Sequence, residues 1–249
     1  MMLSKYLPSV GVIALLAALS TGASATETIY SNNFSSNANN FSDQTLSTSP
    51  NDVNILGQLG NETEALTLSG VPTGTVTLNF DLYIINTMDG NGPAGGGPDP
   101  WLLTEDGNTL LDTTFANYPS DTQSFTSSTA GSGNTFTGDP STSPNNAPGT
   151  GASATNTLGY TGGAGGLNDS TYDLSYTFDN TSPDLTIDFI GEQNQGIGDE
   201  SWGLGNVTVL DSTDESPGAV PEPSSPIVLA LGGLGLAALL LMRKRKVTA

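Results

Sequence analysis

Asp199 and Glu200 are adjacent carboxylates in the segment Gly198-Asp199-Glu200-Ser201-Trp202, and Asp89 and Asn91 stand two positions apart in Asp89-Gly90-Asn91-Gly92. Oxygen-bearing side chains grouped in this way suit a hard cation such as Ca2+, which takes six to eight oxygen ligands, mostly carboxylates and carbonyls. These four residues are the candidate metal ligands, and Ca2+ is the candidate structural cofactor. Asp199 and Glu200 equally suit the capping of a turn. Trp101 and Trp202 are the only tryptophans of the chain. An exposed indole stacks on sugar rings, which makes Trp101 a candidate carbohydrate contact, whereas Trp202 reads as a core residue.

Other chemistries are excluded by what the chain lacks. The five Lys and Arg are Lys5, Arg243, Lys244, Arg245 and Lys246, all in the end segments. Between Thr26 and Pro223 there is no Lys, Arg, His or Cys, and all 25 Asp and Glu lie in that stretch. Ser-His-Asp triads, Cys-His pairs, Schiff bases, His-ligated metals and disulfides are therefore ruled out there. Nucleic acid is ruled out as a partner, because neutralising phosphates needs Lys or Arg. The hydrolytic chemistry left is a carboxylate pair acting on a glycoside. Scattered acids usually form only a solvated surface, so the expectation is a protein that is not an enzyme. Asp89-Gly90-Asn91-Gly92 also resembles the opening of an EF-hand loop. Pro93 stands at the fifth position and Pro100 where the closing Glu belongs, so an EF-hand is rejected.

The elements that must position these residues read as strands. Val76, Leu78, Phe80, Leu82 and Ile84 alternate with polar or half-polar neighbours, as do Tyr172, Leu174, Tyr176 and Phe178, and Leu185, Ile187 and Phe189. Period-2 alternation buries one face of a strand. Shorter candidates are residues 28–34, 65–69, 101–104, 109–115, 123–126 and 202–210. Asp106-Gly107 between two Leu-rich runs signals a tight hairpin. Trp202 and Leu204 share one parity and Val207 and Val209 the other, which, with Gly203 and Gly205 nearby, predicts a bulge. The expected fold class is all-β: an antiparallel β-sandwich of jelly-roll type over residues 26–210. Residues 86–100 read as a long Gly/Pro-rich loop. Residues 127–170 read as an extended, partly mobile low-complexity insertion with one short strand near 155–160.

The ends lie outside that domain. Residues 1–25 carry Lys5, an apolar run over 10–19, and Ala23-Ser24-Ala25, with small residues at the −3 and −1 positions of a cleavage site. That pattern is a secretory signal peptide, cut after Ala25. A polar linker over 211–219 leads to Pro221-Glu222-Pro223, an apolar run over 227–242 and the cluster Arg243-Lys244-Arg245-Lys246. A helix over the run spans about 24 Å at about 1.5 Å per residue, short for a bilayer but sufficient with snorkelling flanks. It is expected to be a transmembrane helix with its basic end cytoplasmic. In this order and spacing, residues 220–246 resemble the PEP-CTERM sorting signal. That resemblance implies an exosortase-type protease as processing partner, and a membrane-anchored precursor that moves to the cell surface or to an exopolysaccharide or biofilm matrix.

Residues 80–85, the re-entry at Asp99-Pro100-Trp101 and the segment 198–207 resemble bacterial extracellular jelly-roll domains related in shape to lectins and carbohydrate-binding modules. In those domains an acid is usual where Gly205 stands here. This resemblance implies polysaccharide as a ligand. The alternative is a structural or adhesive surface protein without a defined ligand.

Overall fold

The computed structural model describes residues 26–92, 96–127, 142–163 and 165–211. The expected signal peptide, the sorting segment, the expected transmembrane run, residues 212–219 of the expected linker and residues 128–141 of the expected insertion lie outside the described residues. Among the described residues there is no helix. The strands are β1 (Glu27–Asn32), β2 (Leu46–Thr48), β3 (Asn54–Leu59), β4 (Glu62–Ser69), β5 (Gly74–Asn86), β6 (Pro100–Glu105), β7 (Asn108–Thr114), β8 (Ala154–Thr155), β9 (Asp169–Asn180), β10 (Asp184–Gly191) and β11 (Glu200–Asp211). They lie within one compact unit, Ala25–Thr213.

All pairings between the strands are antiparallel. The larger sheet runs β2-β3-β11-β5-β9-β8, with β1 also on β11, and the smaller runs β4-β10-β6-β7. Their inner faces share one core. Val76, Leu78, Phe80, Leu82, Tyr172, Leu174, Trp202 and Leu204 of the larger sheet meet Leu66, Leu103, Leu185, Ile187 and Phe189 of the smaller. Phe80 packs edge-on against Phe189 at 5.1 Å between ring centroids. Such pairs contribute about 0.5–1.5 kcal/mol beyond their buried area. Phe178, expected in the core, is only half-buried beside it, two residues before β9 ends.

Local rules written in the sequence are visible at two turns of the backbone. Asp106 and Gly107 have φ of 44° and 82°, the double left-handed turn that a two-residue hairpin needs, and they join Glu105 to its partner Asn108. On β11 the register shifts between Gly205 and Thr208, with Asn206 at φ 47°. The extra residue turns Val207 and Val209 inward on the opposite parity from Trp202 and Leu204, so all four are fully buried.

Three expectations are corrected. Residues 123–126 form no strand: Gln123 makes one isolated bridge to Asn146, and its side chain bonds to the backbone at Ala116, Phe125, Gly149 and Thr150. Asp211, assigned to the linker, is the last residue of β11. The described part of the insertion is packed rather than merely extended. β8 pairs with β9, and Leu158 sits 3 % exposed in a second apolar cluster with Ile55, Tyr83 and Ile85. Asp169 Oδ1 accepts the backbone N–H groups of Thr157 and Leu158, which holds this segment in place.

Candidate metal centre

β5 ends at Asn86, whose partner across the larger sheet is Glu200, the first residue of β11. The described residues of the loop between β5 and β6 are 87–92 and 96–99. Thr87 begins this loop by donating its N–H and hydroxyl to the carbonyl of Asp199, and its hydroxyl also reaches Asp199 Oδ1 at 2.6 Å. The Asp199 carboxylate is thus engaged in the turn.

The loop folds back on itself at Asp89-Gly90-Asn91-Gly92. Gly90 and Gly92 have φ of 64° and 55°, and Gly92 N–H donates to the Asp89 carbonyl. A side chain at Gly90 would overlap the Thr122 carbonyl and Ala116, so glycine is required for this close approach. Asn91 does not point its amide at the acids. Its Oδ1 accepts the Thr114 hydroxyl at 2.6 Å, and its Nδ2 donates to the Pro144 carbonyl at 2.8 Å and to Asn145. It ties the loop to the end of β7 and to the 144–145 segment.

The return of the loop delivers Asp99. Its N–H donates to the Gly90 carbonyl, and its carboxylate accepts the N–H groups of Asp89 at 3.0 Å and Asn194 at 3.3 Å. Asp89, Asp99 and Glu200 are 5 %, 1 % and 0 % exposed, and each offers an oxygen within 4.8 Å of the others. A fourth acid joins from the segment after β7: Asp121, 4 % exposed, lies against Asp89. Donors are few. Gln195 Nε2 is shared between Asp89 Oδ2 at 3.1 Å and Glu200 Oε1 at 3.5 Å. Glu200 Oε2 and both oxygens of Asp121 receive no hydrogen bond.

Burial and mutual repulsion disfavour the charged forms. Burial, and then the Asp99 and Asp89 charges, push Glu200 up to about 9. Burial pushes Asp99 up to about 6, and burial followed by the Asp89 charge does the same to Asp121. Asp89 is raised, chiefly by burial. Four buried carboxylates with no Lys, Arg or His in the domain have two ways to be neutralised, protons or a cation bound from solution.

Of the four ligands expected from sequence, the structure thus brings together Asp89 and Glu200, and places Asn91 and the Asp199 carboxylate in backbone-ordering roles. Asp99 and Asp121 were not among them. Asp99 had a faint signal, its place before a strand-opening proline on the return of the same loop. Asp121 had none, since Pro119-Ser120-Asp121-Thr122 reads as any polar turn. Trp101 is corrected as a sugar contact: it is 1 % exposed, packed edge-on against Trp202 at 5.9 Å and stacked near Phe80, and offers no face to a ligand.

Residues 219–246 match the PEP-CTERM protein-sorting motif. This motif marks an exported protein that an exosortase, a membrane protease, processes. No curated protein sequence is significantly similar to the chain. Among solved structures, latent PorU from Porphyromonas gingivalis aligns over 74 % of this chain at 11 % identity and a TM-score of 0.33. An exo-β-1,3-galactanase from Phanerochaete chrysosporium, solved with β-1,3-galactotriose, aligns over 76 % at 9 % identity and a TM-score of 0.28. The chain spans only 12 % and 29 % of the lengths of those two proteins.

Proposed function

We propose that this chain is a non-catalytic cell-surface or extracellular-matrix protein, delivered through its sorting tail, whose sandwich is a jelly-roll module that engages polysaccharide. The observation that carries the reading is the sorting motif at 219–246, behind a domain whose last strand closes at Asp211. β1 pairs with β11 so that Glu27 faces Asp211. The two chain ends of the domain therefore leave side by side, at the end of β11 opposite Glu200.

Polysaccharide engagement is supported by the outer face of the larger sheet. Thr77 bonds to Thr177, Asn79 to Ser175 and Thr208, and Asp81 to Asn206. This ladder of hydroxyl and amide groups on β5, β9 and β11 matches the hydrogen-bonding groups of a neutral glycan. The non-catalytic reading is supported by the missing nucleophile-activating residues, and by carboxylates that are buried and crowded rather than set about 5–9 Å apart across an open cleft.

Intact-mass measurement of protein recovered from the cell surface tests the sorting. The expected mass lacks residues 1–25 and the tail beyond about Pro223. Material that still carries Arg243–Lys246 would leave a membrane anchor in place of an exosortase substrate. Pull-down on insoluble polysaccharides tests the ligand, with Asn79→Ala and Thr177→Ala expected to weaken retention. Failure to bind any glycan would favour a structural or adhesive protein.

A further inference from the structure

We infer that Asp89, Asp99, Asp121 and Glu200 form one binding site for a hard divalent cation, Ca2+ by its chemistry, which pins together residues 87–92, residues 96–99, the segment after β7 and the start of β11. These separate stretches of chain converge there, and three of the acids already hold oxygens within 4.8 Å of one another. That spacing is what a single ion with ligand distances of about 2.3–2.6 Å requires.

The independent sign of a ligand is the set of unpaired acceptors. Asp121 is 4 % exposed and Glu200 fully buried, yet both Asp121 oxygens and Glu200 Oε2 lack any donor. Buried polar atoms are nearly always paired. Here they abut other carboxylates: Asp121 against Asp89, and Glu200 against Asp99. Acceptors turned toward acceptors need something positive between them, a shared proton or a bound cation. No basic side chain of the domain can take that place, because residues 26–223 contain no Lys, Arg or His. The ligand set is oxygen only, which disfavours Zn2+ and Cu2+. A buried set of four carboxylates leaves little room for the waters that Mg2+ retains, which favours Ca2+. The site owes nothing to sorting: a chain whose tail is never cut would bind the ion equally.

The tryptophans supply the test. Trp101 follows Asp99 by two residues and Trp202 follows Glu200 by two, and the indoles touch each other. Tb3+ substituting for Ca2+ would therefore lie near both, and indole excitation should sensitise its emission. The full chain, purified in nonionic detergent, is titrated with Tb3+ and then with CaCl2, MgCl2 or NaCl at matched ionic strength. The expected result is sensitised emission saturating at one ion per chain and displaced by CaCl2 well before MgCl2 or NaCl. Glu200→Gln and Asp121→Asn should each weaken Ca2+ binding by at least about tenfold, while Asp199→Asn, whose carboxylate is held by Thr87 and acts on Asp89 only through its charge, should weaken it less. Both amide variants remove repulsion, so without cations they should melt at or above the temperature of the parent, which separates lost binding from lost folding. Emission that is absent, that NaCl displaces as readily as CaCl2, or that survives in Glu200→Gln and Asp121→Asn would overturn the site.

Discussion

Glu200 gathers the energetics of the domain into one side chain. Its folded-state pKa of about 9 lies far above the ordinary glutamate value near 4.3. A raised carboxyl pKa means the folded state holds the proton more tightly than the unfolded one. Its contribution is therefore fully present below the unfolded value and is lost as pH rises toward 9. Asp99 and Asp121, both at about 6, act in the same direction over a lower range. In the presence of a chelator, the melting temperature should fall steadily from pH 5 to pH 9, and Glu200→Gln should flatten the upper part of that fall. With millimolar Ca2+ the ion competes with protons for the same oxygens, so the slope should shrink or reverse. A melting temperature independent of pH in chelator would contradict the burial of these groups. At the other buried extreme, Trp101→Ala should destabilise by about 3–5 kcal/mol, measured by urea unfolding, since the indole fills the space between Phe80, Phe115 and Trp202.

At the level of the element, β11 is the strand on which the domain turns. It pairs with β1, β3 and β5, carries Glu200 at its start and closes the fold at Asp211. Its bulge lets one strand serve two parities. Deleting Asn206 would remove the extra residue and bring Val207 and Val209 onto the parity of Trp202 and Leu204, so the strand could run without a bulge and keep all four inward. Each fully buried Val contributes about 1.5–3 kcal/mol, and the deletion keeps both inward, so it should preserve cooperative unfolding and the near-ultraviolet circular dichroism of Trp202; loss of both would mean that the bulge does more than reset parity. The β6–β7 hairpin permits a milder test. Gly107 has φ of 82° with open space around it, so Gly107→Ala adds no clash, only the left-handed backbone penalty of about 1–2 kcal/mol. A larger loss would mean that the turn makes contacts beyond its backbone.

The whole molecule is a polyanion whose net charge of −20 includes the basic tail. The proposed cleavage beyond Pro223 would remove Arg243–Lys246, four of the five Lys and Arg of the chain. Folding brings the remaining charges together with nothing internal to offset them. Monovalent salt should raise the melting temperature modestly by screening exposed charges. Ca2+ at equal ionic strength should raise it further, since a ligand of the native state alone adds about 2.7 kcal/mol at a hundredfold excess over its Kd. Paired melting curves in NaCl and CaCl2 measure the difference, and coincident curves would reduce the acidic character to surface screening.

Alternation along β5, β9 and β10 was legible in the sequence because a pleated strand converts parity directly into burial. The Asp106-Gly107 turn and the β11 bulge were legible because backbone geometry there depends on one or two residues. The sorting motif was legible because it acts as linear chain, read by length, hydropathy and end charge. The acidic cluster was legible only in part. Asp89 and Glu200 stood out by their neighbours in sequence, but Asp99 and Asp121 become partners through the folding-back of a loop and the approach of a distant segment. Asn91 and Asp199 looked equally suited until the structure committed them to Thr114 and Thr87. A strand's burial is set by adjacent residues, whereas a site's membership is set by contacts between residues up to about a hundred positions apart, as far as Asp89 and Glu200. Composition carries no record of which acids will meet. It records that, once they meet, no basic side chain of the domain can neutralise them.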